Sequence, residues 1–403
     1  MKENTTKNIL YVGGFELPDK NAAAQRVVAN ARILNELGYS VVFIGVDKSC
    51  NFIEHEIKEL KIDDFKFYTK PQKYPKSKIQ WLNFITNFSF VRQTIENDLD
   101  KNIDIIIAYN YPAITLKKLI NYGRKNNFKV LADITEWYEP QGNFLFRFIK
   151  RFDSYLRMDF FHKKVDGIIA ISKYLSDFYK KSGCNTIIIP PLVNFNSLNY
   201  PKVVFSNNDI INLTYVGQPF PVDGRSVSES SFKDRLDKII DVLFELKNHE
   251  FAFYIYGLTR KQYLSVVKRH DFVIKELGNK IKFHGYIDNI EAKMKISEAD
   301  FTILFRDINR MTSAGFPTKV VESISCGTPV ITNNTSDLKE YIVQGKNGFL
   351  VNTEIENNLL EKMVEIISLQ RKDINAMKEY CKVSQLFSHT NYVDEMKQFL
   401  SSL

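Results

Sequence analysis

ADFTILFRDINRMTSAGFPTKVVESISCGTPVIT, residues 299–332, holds a complete strand–helix–strand unit. The apolar run Asp300–Phe305 reads as a strand buried on both faces. A Gly315-Phe316-Pro317 turn opens a helix that carries Glu322 and stops at Cys326-Gly327, and Pro329 starts the next short strand. Two such strands joined by a helix imply a right-handed crossover and parallel pairing. The backbone amides at Gly315–Phe316 and the Thr318 hydroxyl suit phosphate oxygens at a helix N-terminus. Glu322, one turn further in, suits hydrogen bonds from a pair of ribose hydroxyls. As bare composition the same segment is a helix with a lone acid.

Outward from this unit the pattern repeats. Downstream and upstream in the second half lie Ile211–Gly217, Phe251–Gly257, Lys280–Tyr286, Pro329–Thr332 and Gly348–Val351. The first half offers Asn8–Val12, Ser40–Val46, Asp104–Tyr109, Lys129–Thr135, Asp166–Ser172 and Thr186–Pro190. These runs are Ile/Val-rich, show little period-two alternation and alternate with helix-length amphipathic stretches, which predicts an α/β chain of doubly wound parallel sheets. Between the halves, Pro190–Pro201 and the polar residues to Asp209 read as a linker. The expected organisation is two Rossmann-like domains, 1–200 and 201–388, facing across a cleft, with a final helix in 389–403 packing back on the first. Ligands of open parallel sheets bind beyond the carboxyl ends of the strands, so motifs belong in the loops that follow them.

Composition narrows the partners. The 403 residues carry a net charge of +8, enough to favour phosphate-bearing ligands or an anionic membrane face but too diffuse for a dedicated nucleic-acid binder. Cys50, Cys184, Cys326 and Cys381 form no C-x-x-C pair, so neither a zinc site nor a disulfide framework is indicated. The start, MKENTTKNILYVGG, runs from a polar tail into a strand rather than into a signal peptide, and no apolar stretch is long enough to span a bilayer. A cytoplasmic protein, soluble or bound at the inner face of the membrane, is expected.

Four other motifs carry chemistry. Gly13-Gly14 follows the first strand and precedes a helix bearing Arg26; it permits close approach of a ligand, or is simply a tight turn. Asp133, Glu136 and Glu139 flank Trp137 and Tyr138 after the Lys129–Thr135 run. Carboxylates beside flat rings suit a sugar, and equally an acidic helix N-terminus. Phe144–Lys164 pairs aromatics at helical spacing with Arg147, Lys150, Arg151, Arg157, Lys163 and Lys164; it fits an anionic bilayer, or an ordinary helix with its aromatics in the core. After Tyr215-Val-Gly217 come Gln218, Arg225, Lys233, Arg235 and Lys238, among which composition selects no phosphate ligand. The single D-x-D triplet, Asp98-Leu99-Asp100, ends a polar helix and reads as solvated, so no metal site is expected.

Gly315–Ile331 and Gly345–Val351, supported by Tyr215–Gly217, Phe232–Leu246, Ala170–Leu175, Ile189–Asn194 and the opening Gly13-Gly14 … Arg26 … Leu37–Val41, resemble the retaining GT-B glycosyltransferases of family four. These build bacterial capsule and lipopolysaccharide sugars, and the resemblance covers nearly the whole chain. It implies transfer of a sugar from a nucleoside-diphosphate sugar to a hydroxyl of a growing, lipid-linked surface glycan, with retention and without a metal cofactor. It further implies peripheral contact with an anionic membrane and no nucleic-acid partner. Glu322 resembles the second member of the family's glutamate pair, which holds ribose; the first falls at Ala314, where this chain departs. Lys233 resembles the phosphate-binding lysine, and Gln218 replaces the usual arginine, with Arg225 the candidate substitute. The resemblance thus gives Lys233, Asp133 and Glu136 as catalytic candidates. Gly13, Gly14, Gln218, Arg225, Gly315, Phe316, Thr318, Lys319 and Glu322 are the donor-binding candidates. The competing readings are a sugar-nucleotide epimerase on the same fold and a catalytically degenerate binding protein.

Overall fold

The structure, a computed structural model, describes residues 7–49, 56–99, 101–137, 144–195, 201–222, 228–229 and 232–403, with the side chains of 144–147 left aside. It divides into two compact units: 1–194 with 314–316 and 388–403, and 195–313 with 317–387.

The strands of the first unit are β1 (Asn8–Gly13), β2 (Ser40–Ile44), β3 (Val46–Asp47), β4 (Lys58–Ile62), β5 (Phe65–Thr69), β6 (Gln72–Lys73), β7 (Ile105–Tyr109), β8 (Lys129–Ile134), β9 (Gly167–Ala170) and β10 (Thr186–Ile188). Its main sheet runs β10-β9-β8-β7-β1-β2-β5-β4, parallel except for β4 against β5. Alternate residues of β1 serve two cores. Ile9 and Tyr11 pack with Val27, Ala31 and Leu34 of the helix Ala22–Glu36, while Leu10 and Val12 pack with Leu116, Leu119 and Ile120 of the helix Ala113–Asn126. Each fully buried Ile, Val or Leu contributes about 1.5–3 kcal/mol, so a strand apolar on both faces is stable only between two helical layers. The first of these helices starts where the Asn21 side chain accepts from the Ala24 amide at 2.8 Å, and the second ends at Asn127 in the left-handed region. The C-terminal helix Val393–Ser401 lies in this unit, where Met396 and Phe399 join the Ile9–Tyr11 core.

The second unit holds β11 (Ile211–Val216), β12 (Phe251–Tyr256), β13 (Ile281–Gly285), β14 (Phe301–Leu304), β15 (Val330–Asn333) and β16 (Gly348–Val351). The order β13-β12-β11-β14-β15-β16 is wholly parallel, with Leu213 opposite Phe253 on one side and Phe301 on the other. Strand order reverses between β11 and β14, and a crevice opens at such a switch point.

Each apolar run read from the sequence is a strand here. The addition is the β4–β5 hairpin, which turns at Asp63 (φ 53°), and the short pair β3–β6. Its outer strand β4, KELKI, is the sheet edge and buries no residue, and FKFYT of β5, between β4 and β2, buries only Phe67, so neither shows the continuous apolar run that marks a central strand.

Candidate functional site

In the second unit the switch point is ringed by bare backbone. Gly217 follows β11 at φ +135°, and Gly257 follows β12 at φ +113°. A Cβ on Gly217 would stand 2.4 Å from Lys319 Cε, and one on Gly257 would stand 2.3 Å from the Gly217 carbonyl. Only glycine fits either place. The exposed Gln218 ties the two loops together, its Nε2 donating to the Gly257 carbonyl at 3.1 Å.

Beneath these loops lies a charge cluster. Asp234, fully buried, accepts from Arg306 Nε (2.8 Å), Lys319 Nζ (2.6 Å) and the Tyr215 hydroxyl (3.0 Å). Burial alone would raise the Asp234 carboxyl; the charges and hydrogen bonds of Lys319 and Arg306 override it and hold the acid well below the ordinary range. Burial, reinforced by Asp234, pushes the Tyr215 phenol well up, so it remains a donor. Two cations against one carboxylate leave a unit of positive charge. Arg306 is 7% exposed and Lys319 27% exposed, so Lys319 is the cation that reaches solvent. Arg306 is fixed from behind as well, since its backbone exchanges hydrogen bonds with the Asn333 side chain.

The helix Thr318–Ser325 brings Lys319 and Glu322 to one face, three residues apart. Both border a small cavity of about 10 Å³ with Thr214, Tyr215, Ile303 and Leu304. Burial raises the Glu322 carboxyl, against the lowering pull of Lys319 and Lys293. Lys233 is exposed, its amide bonded to the Pro219 carbonyl at 3.2 Å. Arg235 is held by Asp237 and Asp307, and Lys238 by Asp307 at 2.9 Å. Asp234 and Arg306 were not singled out from the sequence. The signal was an acid set between two cations in Lys233-Asp234-Arg235, but its partner lies 72 residues downstream.

The remaining candidates belong elsewhere. Ala314–Phe316 group with the first unit, where Ser172 Oγ donates to the Ala314 carbonyl at 2.7 Å. Gly13 is required by packing, since a Cβ there would meet the Tyr109 carbonyl at 2.7 Å, whereas Gly14 is exposed. Asp133, expected near a reacting sugar, sits in the interior of the first unit. It is fully buried and accepts from Arg26 Nε (2.8 Å), the Tyr11 hydroxyl (2.5 Å) and Asn30 Nδ2 (3.2 Å). Arg26, itself 4% exposed, also donates to the Ile189 carbonyl at 2.8 Å. This network pins a helix to the sheet and leaves the carboxylate no open face. Glu136 is exposed, and Trp137 packs edge-on against Phe178 with ring centres 5.1 Å apart. Arg225, Tyr138 and Glu139 lie outside the described residues.

On the helix Phe144–Tyr155 and the turn after it, Phe148, Phe152, Tyr155 and Phe160 are 64, 56, 60 and 49% exposed. These rings therefore face outward within the first unit rather than filling its core, with Lys150 and Arg151 exposed among them. No helix among the described residues is long and apolar enough to cross a membrane. Asp98 pairs with Lys70 at 2.5 Å, and Asp100 is outside the described residues.

Residues 226–383 match the family model described as Glycosyl transferases group 1. An uncharacterised glycosyltransferase of Methanocaldococcus jannaschii is 26% identical over 203 residues, 50% of each chain. An uncharacterised 41.2 kDa protein in the cps region of Klebsiella pneumoniae is 32% identical over 136 residues, 33% of this chain and 36% of that protein. The matches therefore span half or less of these relatives' own length. Among solved structures, sucrose-phosphate synthase from Thermosynechococcus elongatus superposes with a TM-score of 0.67 at 15% identity, covering 98% of both chains. Anabaena HepE in complex with UDP-glucose gives 0.61 at 16% identity, covering 98% of this chain and 100% of that one. At such identities the likeness establishes the fold, the two-domain α/β architecture of GT-B glycosyltransferases.

Proposed function

We propose that this chain, which carries a group 1 glycosyl transferase domain over residues 226–383, moves a sugar from a nucleoside-diphosphate sugar to a hydroxyl of a lipid-linked surface glycan, with retention of anomeric configuration. The observation that carries the reading is the Asp234–Arg306–Lys319 cluster at the switch point of the second unit, with Glu322 one turn along the same helix. Breaking a sugar–phosphate bond leaves an oxocarbenium-like sugar and a charged diphosphate, so the site must supply positive potential at the leaving group. Lys319, held at a fixed place by Asp234, and the exposed Lys233 supply it. Glu322 accepts from the ribose hydroxyls, with Gln218 and Thr318 as further donor contacts. Arg225, Gly14, Gly315 and Phe316 are further donor-contact candidates on the family resemblance alone. The exposed Glu136 orients the acceptor.

UDP bound to HepE supports a uridine donor, and the cps-region relative supports a surface glycan as product. The outward aromatic and cationic face at Phe148–Phe160 supports residence on an anionic membrane. An epimerase would need acids on both faces of the sugar, and Asp133 is taken up by Arg26. The test is release of UDP or GDP from a panel of nucleotide sugars with lipid-linked acceptors. Lys233→Ala is expected to lower kcat/KM by about 10²-fold or more, and EDTA to leave the rate unchanged. Silence with every donor and acceptor would count against the reading.

A further inference from the structure

We propose that the first unit carries a glycan-binding groove between β6 and the helix Lys78–Thr86, with a neutral oligosaccharide as its occupant. The groove has a volume of about 280 Å³, near the lower end of small-molecule sites. Gln72, Tyr74, Gln80, Asn83, Phe84 and Phe90 form most of its wall. Among the described residues that line it, Lys73 is the one charged side chain and none is acidic. This is a wall of carboxamides and flat rings. Carboxamides offer a donor and an acceptor in one plane, which matches adjacent sugar hydroxyls, and rings take the apolar C–H face of a pyranose. A phosphorylated or carboxylated ligand would meet one cation in the lining itself, since the nearby Lys48 and Lys70 are paired with Glu16 and Asp98.

The amides are set in advance. Ser77 caps the helix and accepts from the Gln80 amide at 3.2 Å. The Gln80 side-chain oxygen accepts from the Lys76 amide at 2.8 Å, so its Nε2 is left to donate outward. Asn83 Oδ1 accepts from Asn87 Nδ2 at 3.3 Å, and Asn87 Oδ1 accepts from the Ser89 amide at 2.8 Å. Gln80, Asn83 and Asn87 thus form a row along one side of the helix, each oxygen engaged by the protein. Among the described residues, Gln80 Nε2 and Asn83 Nδ2 donate to no protein acceptor. A ligand hydroxyl that accepts from both meets amides whose rotamers are already fixed, which lowers the ordering cost of binding. The rings are held too. Lys70, paired with Asp98, lies 5.7 Å from the centre of Phe90, and Lys48 lies 5.4 Å from the centre of Tyr74. The proposal deepens the glycan-acceptor reading above and rests on it for its biological use, since an enzyme that extends a chain benefits from gripping it away from the reacting end.

The experiment uses the full chain without donor. Maltohexaose, cellohexaose, mannohexaose and a heparin hexasaccharide are each examined by saturation-transfer NMR, with fluorescence of Trp81, on the same helix, as a second signal. At least one neutral hexasaccharide is expected to bind. Gln80→Ala/Asn83→Ala and, separately, Tyr74→Ala are expected to weaken it about tenfold or more while melting temperature stays as in the wild type. Failure of all three neutral probes, binding of heparin alone with loss at high salt, or full binding by both variants would overturn the proposal. UDP titrated into the same samples separates the two claims. Glycan binding without UDP binding would remove the donor reading and leave the groove; UDP binding without glycan binding would do the reverse.

Discussion

Replacing Asp133 with alanine strands a guanidinium in the core of the first unit. Arg26 is 4% exposed and Asp133 fully buried, so neither charge is discounted by solvent. Removing one member of such a pair typically costs about 3–5 kcal/mol, because the remaining ion stays dehydrated and unpaired. The Tyr11 and Asn30 donors also lose their shared acceptor, though they lie 3.1 Å apart and can partly satisfy each other. For a unit of this size a change of 3–5 kcal/mol lowers the melting temperature by about 6–20 °C. Calorimetry of the full chain, following the transition assigned to the first unit, would measure it. The double change Arg26→Met with Asp133→Leu, which removes both charges and keeps volume, is expected to recover most of the loss. An Asp133→Ala protein that melts within about 1 kcal/mol of the wild type yet releases no nucleotide would refute the structural role and return Asp133 to the reacting sugar.

Three further outcomes follow from the geometry. Gly217→Ala introduces a Cβ 2.4 Å from Lys319 Cε at a φ of +135°, so UDP affinity should fall about tenfold or more, whereas unchanged affinity would separate Lys319 from the nucleotide. Lys378, buried and donating to the Ser297 carbonyl, is pushed down to about 8 by burial from an ordinary 10.5. Between those values the unfolded chain holds a proton that the folded chain has released, so stability relative to Lys378→Met should climb with pH by about 3 kcal/mol; a flat difference in urea melts would contradict this. Phe148→Ser/Phe152→Ser should reduce co-sedimentation with phosphatidylglycerol vesicles several-fold, and undiminished sedimentation would exclude that face as the membrane contact.

Much of this was legible in the sequence because two-sided burial leaves a plain mark. The apolar runs of β1, β7 and β8 pack into a separate core on each face and so carry little polar alternation, whereas Asn212 and Thr214 interrupt β11. The β4–β5 hairpin escaped because its edge strand β4 buries no residue and carries Lys58, Glu59 and Lys61 exposed. Ion-pair partners are harder to read. Asp133 stands beside Glu136 and Trp137 in the chain and so suggests a sugar site, while the arginine that neutralises it lies 107 residues upstream. Asp234 likewise sits among surface cations in sequence, and its burial becomes evident only when Arg306 and Lys319 converge on it. That Lys319 and Glu322 share a helix face was legible because a single turn sets their spacing.

The most direct measurement is isothermal calorimetry of the full chain with UDP, GDP and ADP, repeated on Lys319→Ala and Glu322→Gln. Lys319 is partly exposed and Asp234 keeps Arg306, so the first variant should fold. The expected result is heat with at least one of these nucleotides, and affinity about tenfold or more weaker in both variants. No heat with any of the three, or equal affinity in wild type and variants, would contradict a diphosphate site at the second unit's switch point.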